Sequence, residues 1–149
     1  MKRIYNTGFE MGPRIILIAQ NYPSDRFSED MFVVLDFMAV YGHEFIDDLE
    51  NLHGNNSFKF SEITARRQVV REAVKKLVLD GFLIPIVDNG FRYSISDIGK
   101  KYADSFESSY ALQYKNNLHE IYQHFSNFDE DKLYSLVREK AVQKGGEEG

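Results

Sequence analysis

Arg67, Arg71 and Lys75 recur every four residues, with Arg66 and Lys76 beside them. On a helix this spacing draws the cations onto one side. Such a row suits phosphate or an acidic protein surface, and on a solvated face it would serve solubility alone. A DNA reader also needs side chains aimed at base edges near the helix start, where Thr64, Arg66, Arg67 and Gln68 stand. The turn at Asp88-Asn89-Gly90 follows, and its tip holds an acid where DNA-reading hairpins often carry Lys or Arg. Only Arg92 adds a cation on the far strand.

Other chemistry is less well provided for. His43 and Asp47 share a possible helical face near Glu44 and His53, while His119 and His124 point apart. Neither spacing matches a zinc signature, and there is no cysteine to complete one. Glu44, Asp47, Asp48 and Glu50 form an acidic loop that would repel DNA or receive a basic partner. No metal or other cofactor is expected. No serine lies in a nucleophile elbow, and no Gly-rich loop ends in Lys-Ser or Lys-Thr. The chain is therefore read as non-enzymatic, with nucleotide hydrolysis left to a partner.

The elements that position these residues follow from periodicity and capping. Thr7-Gly8-Phe9-Glu10 fits a capping box, but Pro13 would then fall inside the helix. A kinked or late start is favoured, with Pro13 in the first turn and an end near Asn21. Ser28 caps a second helix whose buried stripe is Met31, Val34, Leu35 and Met38, stopping near Gly42. His43 to Leu52 fits a short helix through Phe45, Ile46 and Leu49, and Gly54-Asn55-Asn56-Ser57 reads as a loop. The basic helix spans Ser61 to Asp80, with Ile63, Val70, Ala73, Val74, Leu77 and Val78 inward and Gly81 at its end. Phe82 to Val87 and Phe91 to Ile95 form a hairpin, and Pro85 marks its first strand as an edge. Ser96 caps a helix through Ile98, Tyr102 and Phe106. A helix past Ser108-Ser109 aligns Tyr110, Tyr114, Leu118, Ile121 and Phe125, and a last one from near Asp129 carries Leu133, Leu136 and Val137.

The expected fold is mainly α with one β-hairpin (α+β). Basic helix, glycine, strand, tight turn, strand and helix make the closing half of a winged helix-turn-helix core, with additional N-terminal and C-terminal helices. One domain covers residues 1–143, comprising N-terminal helices over 1–60, the basic helix, hairpin and next helix over 61–106, and C-terminal helices over 107–143. Residues 144–149 read as a flexible tail. With 43% apolar residues, 149 positions suffice for a real core. The absence of cysteine suits a reducing cytoplasm. No apolar run approaches the length of a membrane span, and Met1-Lys2-Arg3 is not followed by an apolar segment with a small-residue cleavage site, so secretion is not expected.

The net charge of −5 is uneven. Only residues 61–106 carry more Lys and Arg than Asp and Glu, 8 against 6. That is a weak electrostatic footprint for a stand-alone DNA binder. Nine tyrosines and twelve phenylalanines exceed what so small a core needs, and such rings are favoured interface anchors. Tyr110, Tyr114 and Tyr122 are the preferred interface candidates.

Asn6-Thr7-Gly8-Phe9-Glu10, Gly12 and Arg14, Leu35-Asp36-Phe37, Leu52-His53, Arg66-Arg67, and Gly90 to Tyr93 leading to Gly99 carry a resemblance in their order and spacing. They resemble the middle component of bacterial ABC three-component conflict systems, of which the Lamassu anti-phage systems are relatives. Pro13 and the Tyr41-Gly42-His43-Glu44 loop depart from that pattern, which leaves the subfamily open. The resemblance implies a winged-helix accessory subunit that binds an SMC-like ABC ATPase in a kleisin-like way. It would couple DNA sensing to an effector such as a nuclease, with DNA met indirectly or within the complex. The second reading is a homodimeric winged-helix transcriptional regulator with Arg66, Arg67 and Arg71 on operator DNA. The candidate partner-binding or DNA-binding residues are Arg66, Arg67, Arg71, Lys75, Arg92, Tyr110, Tyr114 and Tyr122.

Overall fold

The structure, a computed structural model, describes residues 10–53 and 62–148. Six α-helices and one antiparallel hairpin follow in the order α1 (Met11–Asn21), α2 (Glu29–Val40), α3 (Glu62–Leu79), β1 (Leu83–Val87), β2 (Phe91–Ile95), α4 (Asp97–Asp104), α5 (Ser109–His124) and α6 (Glu130–Glu148). The mainly helical α+β class expected from the sequence is present. The capping-box threonine at position 7 and the 54–57 loop lie outside the described residues.

Helix α1 starts late, at Met11, which places Pro13 in its first turn where a missing amide costs little. Ser28 caps α2 by accepting from the Met31 amide at 3.0 Å, and Glu29 and Asp30 complement the positive end of the dipole. Every residue of α2 from Met31 to Val40 is buried, a wider surface than the four-residue stripe read from periodicity. The reason is position: α2 packs against α1, α3, α5 and α6, so no side of it keeps a polar face. α1 is similarly enclosed, with Ile15, Ile16, Leu17 and Ile18 all fully buried.

The segment after α2 departs from the expected short α-helix. A single 3-10 turn, Gly42–Glu44, is followed by further turns. His43 Nδ1 lies 3.1 Å from the Asp47 and Leu49 carbonyls, and the Leu52 amide returns to the Val40 carbonyl at 2.7 Å. These bonds fold the chain back on the end of α2 and replace helical ones. Asn117 of α5 completes the closure, donating to the Ala39 carbonyl at 2.9 Å.

The α3 face predicted from its periodicity is observed, with Val70, Val74 and Leu77 buried and Gly81 beyond its end at φ 85°. The hairpin pairs Leu83 with Ile95, Pro85 with Tyr93 and Val87 with Phe91. Asp88, Asn89 and Gly90 connect the strands beyond the Val87–Phe91 pair, and Asn89 and Gly90 take positive φ, 55° and 94°. Tyr93 exchanges backbone bonds with Phe27 at 2.9 Å on the outer side of β2, so the hairpin is tied to the loop before α2. Gly99 lets α4 approach the hairpin base: a Cβ there would sit 2.2 Å from the Phe82 carbonyl oxygen. Ser96 caps α4 as expected, and Ser108 caps α5 by accepting from the Ala111 amide. Helix α6 continues to Glu148, into the stretch expected as a flexible tail.

Candidate functional site: a buried carboxylate between helices

Asp36 stands in the middle of α2 with no exposure. Burying a lone carboxylate costs several kcal/mol or forces it to take up a proton, so the helices around it must answer with donors. Arg14 of α1 does so with both arms of its fork, Nε to Oδ1 at 2.8 Å and Nη2 to Oδ2 at 2.9 Å. Arg66 of α3 donates Nε to Oδ2 at 2.9 Å. Tyr114 of α5 donates its hydroxyl to Oδ1 at 2.6 Å. One side chain thus joins four helices.

Burial alone would raise the Asp36 pKa, but the two guanidiniums and the tyrosine hydroxyl outweigh it and hold the carboxyl well below the usual range. For Arg14, burial pulls the other way from Asp36, and the carboxylate prevails, keeping the guanidinium charged. Burial, reinforced by Asp36, pushes the Tyr114 phenol up, so it remains a donor. His53 and Tyr110 extend the cluster, with Nε2 and the hydroxyl oxygen 2.5 Å apart. Burial and the Arg14 charge lower His53 to about 4, so the ring is neutral at ordinary pH. Charge-assisted and bidentate bonds of this kind fix orientation strongly. The arrangement is a structural lock.

The structure separates the eight sequence candidates. Arg66 and Tyr114 belong to the lock and are buried, not displayed on the surface. Arg66 sits three residues after Ile63 and four before Val70, which is the inward face of α3. Tyr110 is half-buried beside His53 and stacks on Tyr114 at 6.2 Å. Tyr122 is half-buried and meets Tyr22 edge-on at 5.5 Å. Arg67 pairs with Asp30, and its other nitrogen donates to the Tyr134 hydroxyl at 2.6 Å. Arg71 reaches Glu29 at 3.3 Å. Arg92 bonds Glu130 of α6 at 3.1 Å and the Asp88 carbonyl at 3.2 Å. Lys75 is exposed. Asp88 at the hairpin turn pairs with Arg26 at 2.5 Å.

Much of the basic row therefore faces the acidic first turn of α2 within the same chain. The sequence reading missed Asp36 as a centre, although a signal was present: one acid inside the otherwise apolar run Met31 to Val40 needs an internal cation. Arg14, just before Ile15-Ile16-Leu17-Ile18, gives the complementary signal. Among the described residues, no group of three or more His, Cys, Asp or Glu gathers to hold a metal ion, and no helix is long and apolar enough to cross a membrane.

Fold and site together define a small α+β protein whose enclosed helices are cross-linked by a buried ion cluster and whose hairpin is held at its periphery. The chain belongs to the family described as ABC-three component (ABC-3C) system Middle Component 2, which it matches over residues 4–147. It is thus a component of a multi-component ABC system. Searches of curated proteins and of solved structures gave no match. The residues on which the resemblance was drawn include Arg14, Asp36, His53 and Arg66, which converge on the lock in three dimensions.

Proposed function

We propose that this protein is the non-catalytic accessory subunit of a cytoplasmic anti-phage complex of Lamassu type. Its α3, hairpin and α4 act as a winged helix-turn-helix turned to protein binding. It binds an SMC-like ABC ATPase in a kleisin-like way and couples DNA sensing to an effector such as a nuclease. Family membership supports the partner class. The observation that favours protein over DNA is the internal pairing of the basic row. Arg66 is buried on Asp36, Arg67 is tied to Asp30 and Arg71 to Glu29, while Asp88 marks the hairpin turn. A homodimeric operator binder would need Arg66 and Arg67 directed at DNA beside Arg71, so the burial of the first and the double pairing of the second count against the regulator reading.

Co-expression with the ATPase encoded in the same system tests the proposal. A stable complex resistant to nuclease and moderate salt is expected. A chain that elutes alone and binds duplex DNA with steep salt dependence would overturn it.

A further inference from the structure

Leu79, Val87 and Phe91 are 80%, 80% and 66% exposed, although each is large and apolar. Leu79 ends α3, and Val87 and Phe91 pair at the turn end of the hairpin. Side chains alternate along a strand, so Leu83, Pro85 and Val87 share a face with their partners Ile95, Tyr93 and Phe91. This face is buried at Leu83 and Tyr93 and runs outward past the point where α3 covers it. A groove of about 310 Å³ opens there, walled by Val78 and Leu79 on one side and Pro85 and Phe91 on the other. Its rim carries Glu29, Arg71 and Lys75.

We propose that this groove receives an amphipathic helix with an acidic flank, presented by the ATPase subunit. This deepens the function proposed above and rests on it. A helix is favoured over an added strand by Pro85. Tyr93, its partner, turns its peptide groups away from β1 to reach Phe27, so Pro85 likewise faces outward on the opposite edge. That free edge lacks its central amide donor and is a poor template for strand addition. The stretch of α3 from Arg71 to Leu79 rises about 12 Å, enough for roughly two turns of a bound helix. Apolar residues spaced for one face would fill the groove in the helix-in-groove mode.

Rim charge sets the flank. Arg71 is mostly exposed with one 3.3 Å contact to Glu29, and Lys75 is exposed, so an acidic partner side chain meets net positive charge. A second copy of this chain fits poorly. Apposed grooves would bring Arg71 and Lys75 towards their own counterparts. Among the described residues, the exposed large hydrophobics away from the hairpin and the end of α3, namely Val69, Ile98, Leu112 and Phe128, belong to different elements and form no apolar helix face.

The test uses the full chain with its ATPase. A photo-crosslinking amino acid at position 87 should join the chain to an ATPase helix, identified by mass spectrometry. Leu79→Ser with Phe91→Ser should weaken the complex at least about tenfold, as expected for exposed anchor residues, without loss of helical signal. Lys75→Glu should weaken it and be rescued by reversing an acid on the crosslinked helix. Crosslinks only to a second copy, or full affinity in the double variant, would overturn the groove assignment while leaving the ATPase complex standing. A wild-type chain that fails to bind the ATPase would overturn both.

Discussion

Arg14 grips Asp36 with two parallel hydrogen bonds, 2.8 and 2.9 Å, at the centre of the helical core. The pair joins α1 to α2, and Arg66 and Tyr114 extend it to α3 and α5. Removing the acid would leave two buried guanidiniums without their carboxylate. Asp36→Asn should therefore destabilise the fold by about 3–5 kcal/mol, measured as a fall in the urea midpoint. Tyr114→Phe removes one bond to a charged acceptor and should cost about 1.5–3 kcal/mol. A loss below 1 kcal/mol in both, on the same scale, would show that the cluster is dispensable.

Two linked titrations give the fold a one-sided pH dependence. His53 is lowered to about 4 in the folded chain by burial and Arg14, while the unfolded ring titrates near about 6.5. The unfolded state therefore binds the proton first, and stability falls as pH drops from about 6.5 towards 4. Asp36 has the opposite chemistry and the same sign: its depressed folded pKa gives stability that is complete above the ordinary carboxylate value of about 3.9 and lost below it. Urea midpoints measured from pH 7 to pH 3 should decline in both windows. His53→Gln should flatten the first and leave the second. An unchanged slope in that variant would remove His53 from the account.

Gly99 and Gly12 offer a matched comparison. A Cβ on Gly99 meets the Phe82 carbonyl oxygen at 2.2 Å and Ile95 Cγ1 at 2.9 Å, whereas nothing lies within 4 Å of one on Gly12. Gly99→Ala should destabilise by about 1–3 kcal/mol or more through overpacking between α4 and the hairpin. Gly12→Ala, in the first turn of α1, should be neutral or stabilising by up to about 1 kcal/mol. Thermal midpoints moving in the same direction would contradict the packing described for α4.

Arg67 and Arg71 bind α3 to the first turn of α2 through Asp30 and Glu29. Reversing both to Glu sets like charges against each other at that seam. The expected outcome is a modest loss of stability, about 1 kcal/mol per half-exposed pair, with weaker recovery of the ATPase and weaker protection from phage. Unchanged assembly and unchanged protection would count against a role for this side of α3.

The local elements were legible because their signals are local. Ser28, Ser96 and Ser108 each cap a helix, and Asn89-Gly90 turns the hairpin. Three features depended on tertiary contacts that periodicity does not report. α2 is enclosed on all sides, so its pattern shows no polar face. The chain after Tyr41 folds back through His43 and Asn117 instead of forming an α-helix. Arg66 looked like part of a surface row, but its partner lies thirty residues earlier in sequence, inside another helix. The candidate groove was equally hidden, since whether Leu79 and Phe91 are exposed is decided by how far α3 and the hairpin cover one another.

Mass measurement of the full-length chain co-purified with the ATPase of its own system tests the central claim most directly. The account predicts one nuclease-resistant species containing both subunits, which dissociates when Leu79 and Phe91 are changed to serine. A chain recovered alone from the wild-type preparation, as a dimer that shifts duplex DNA, would contradict it.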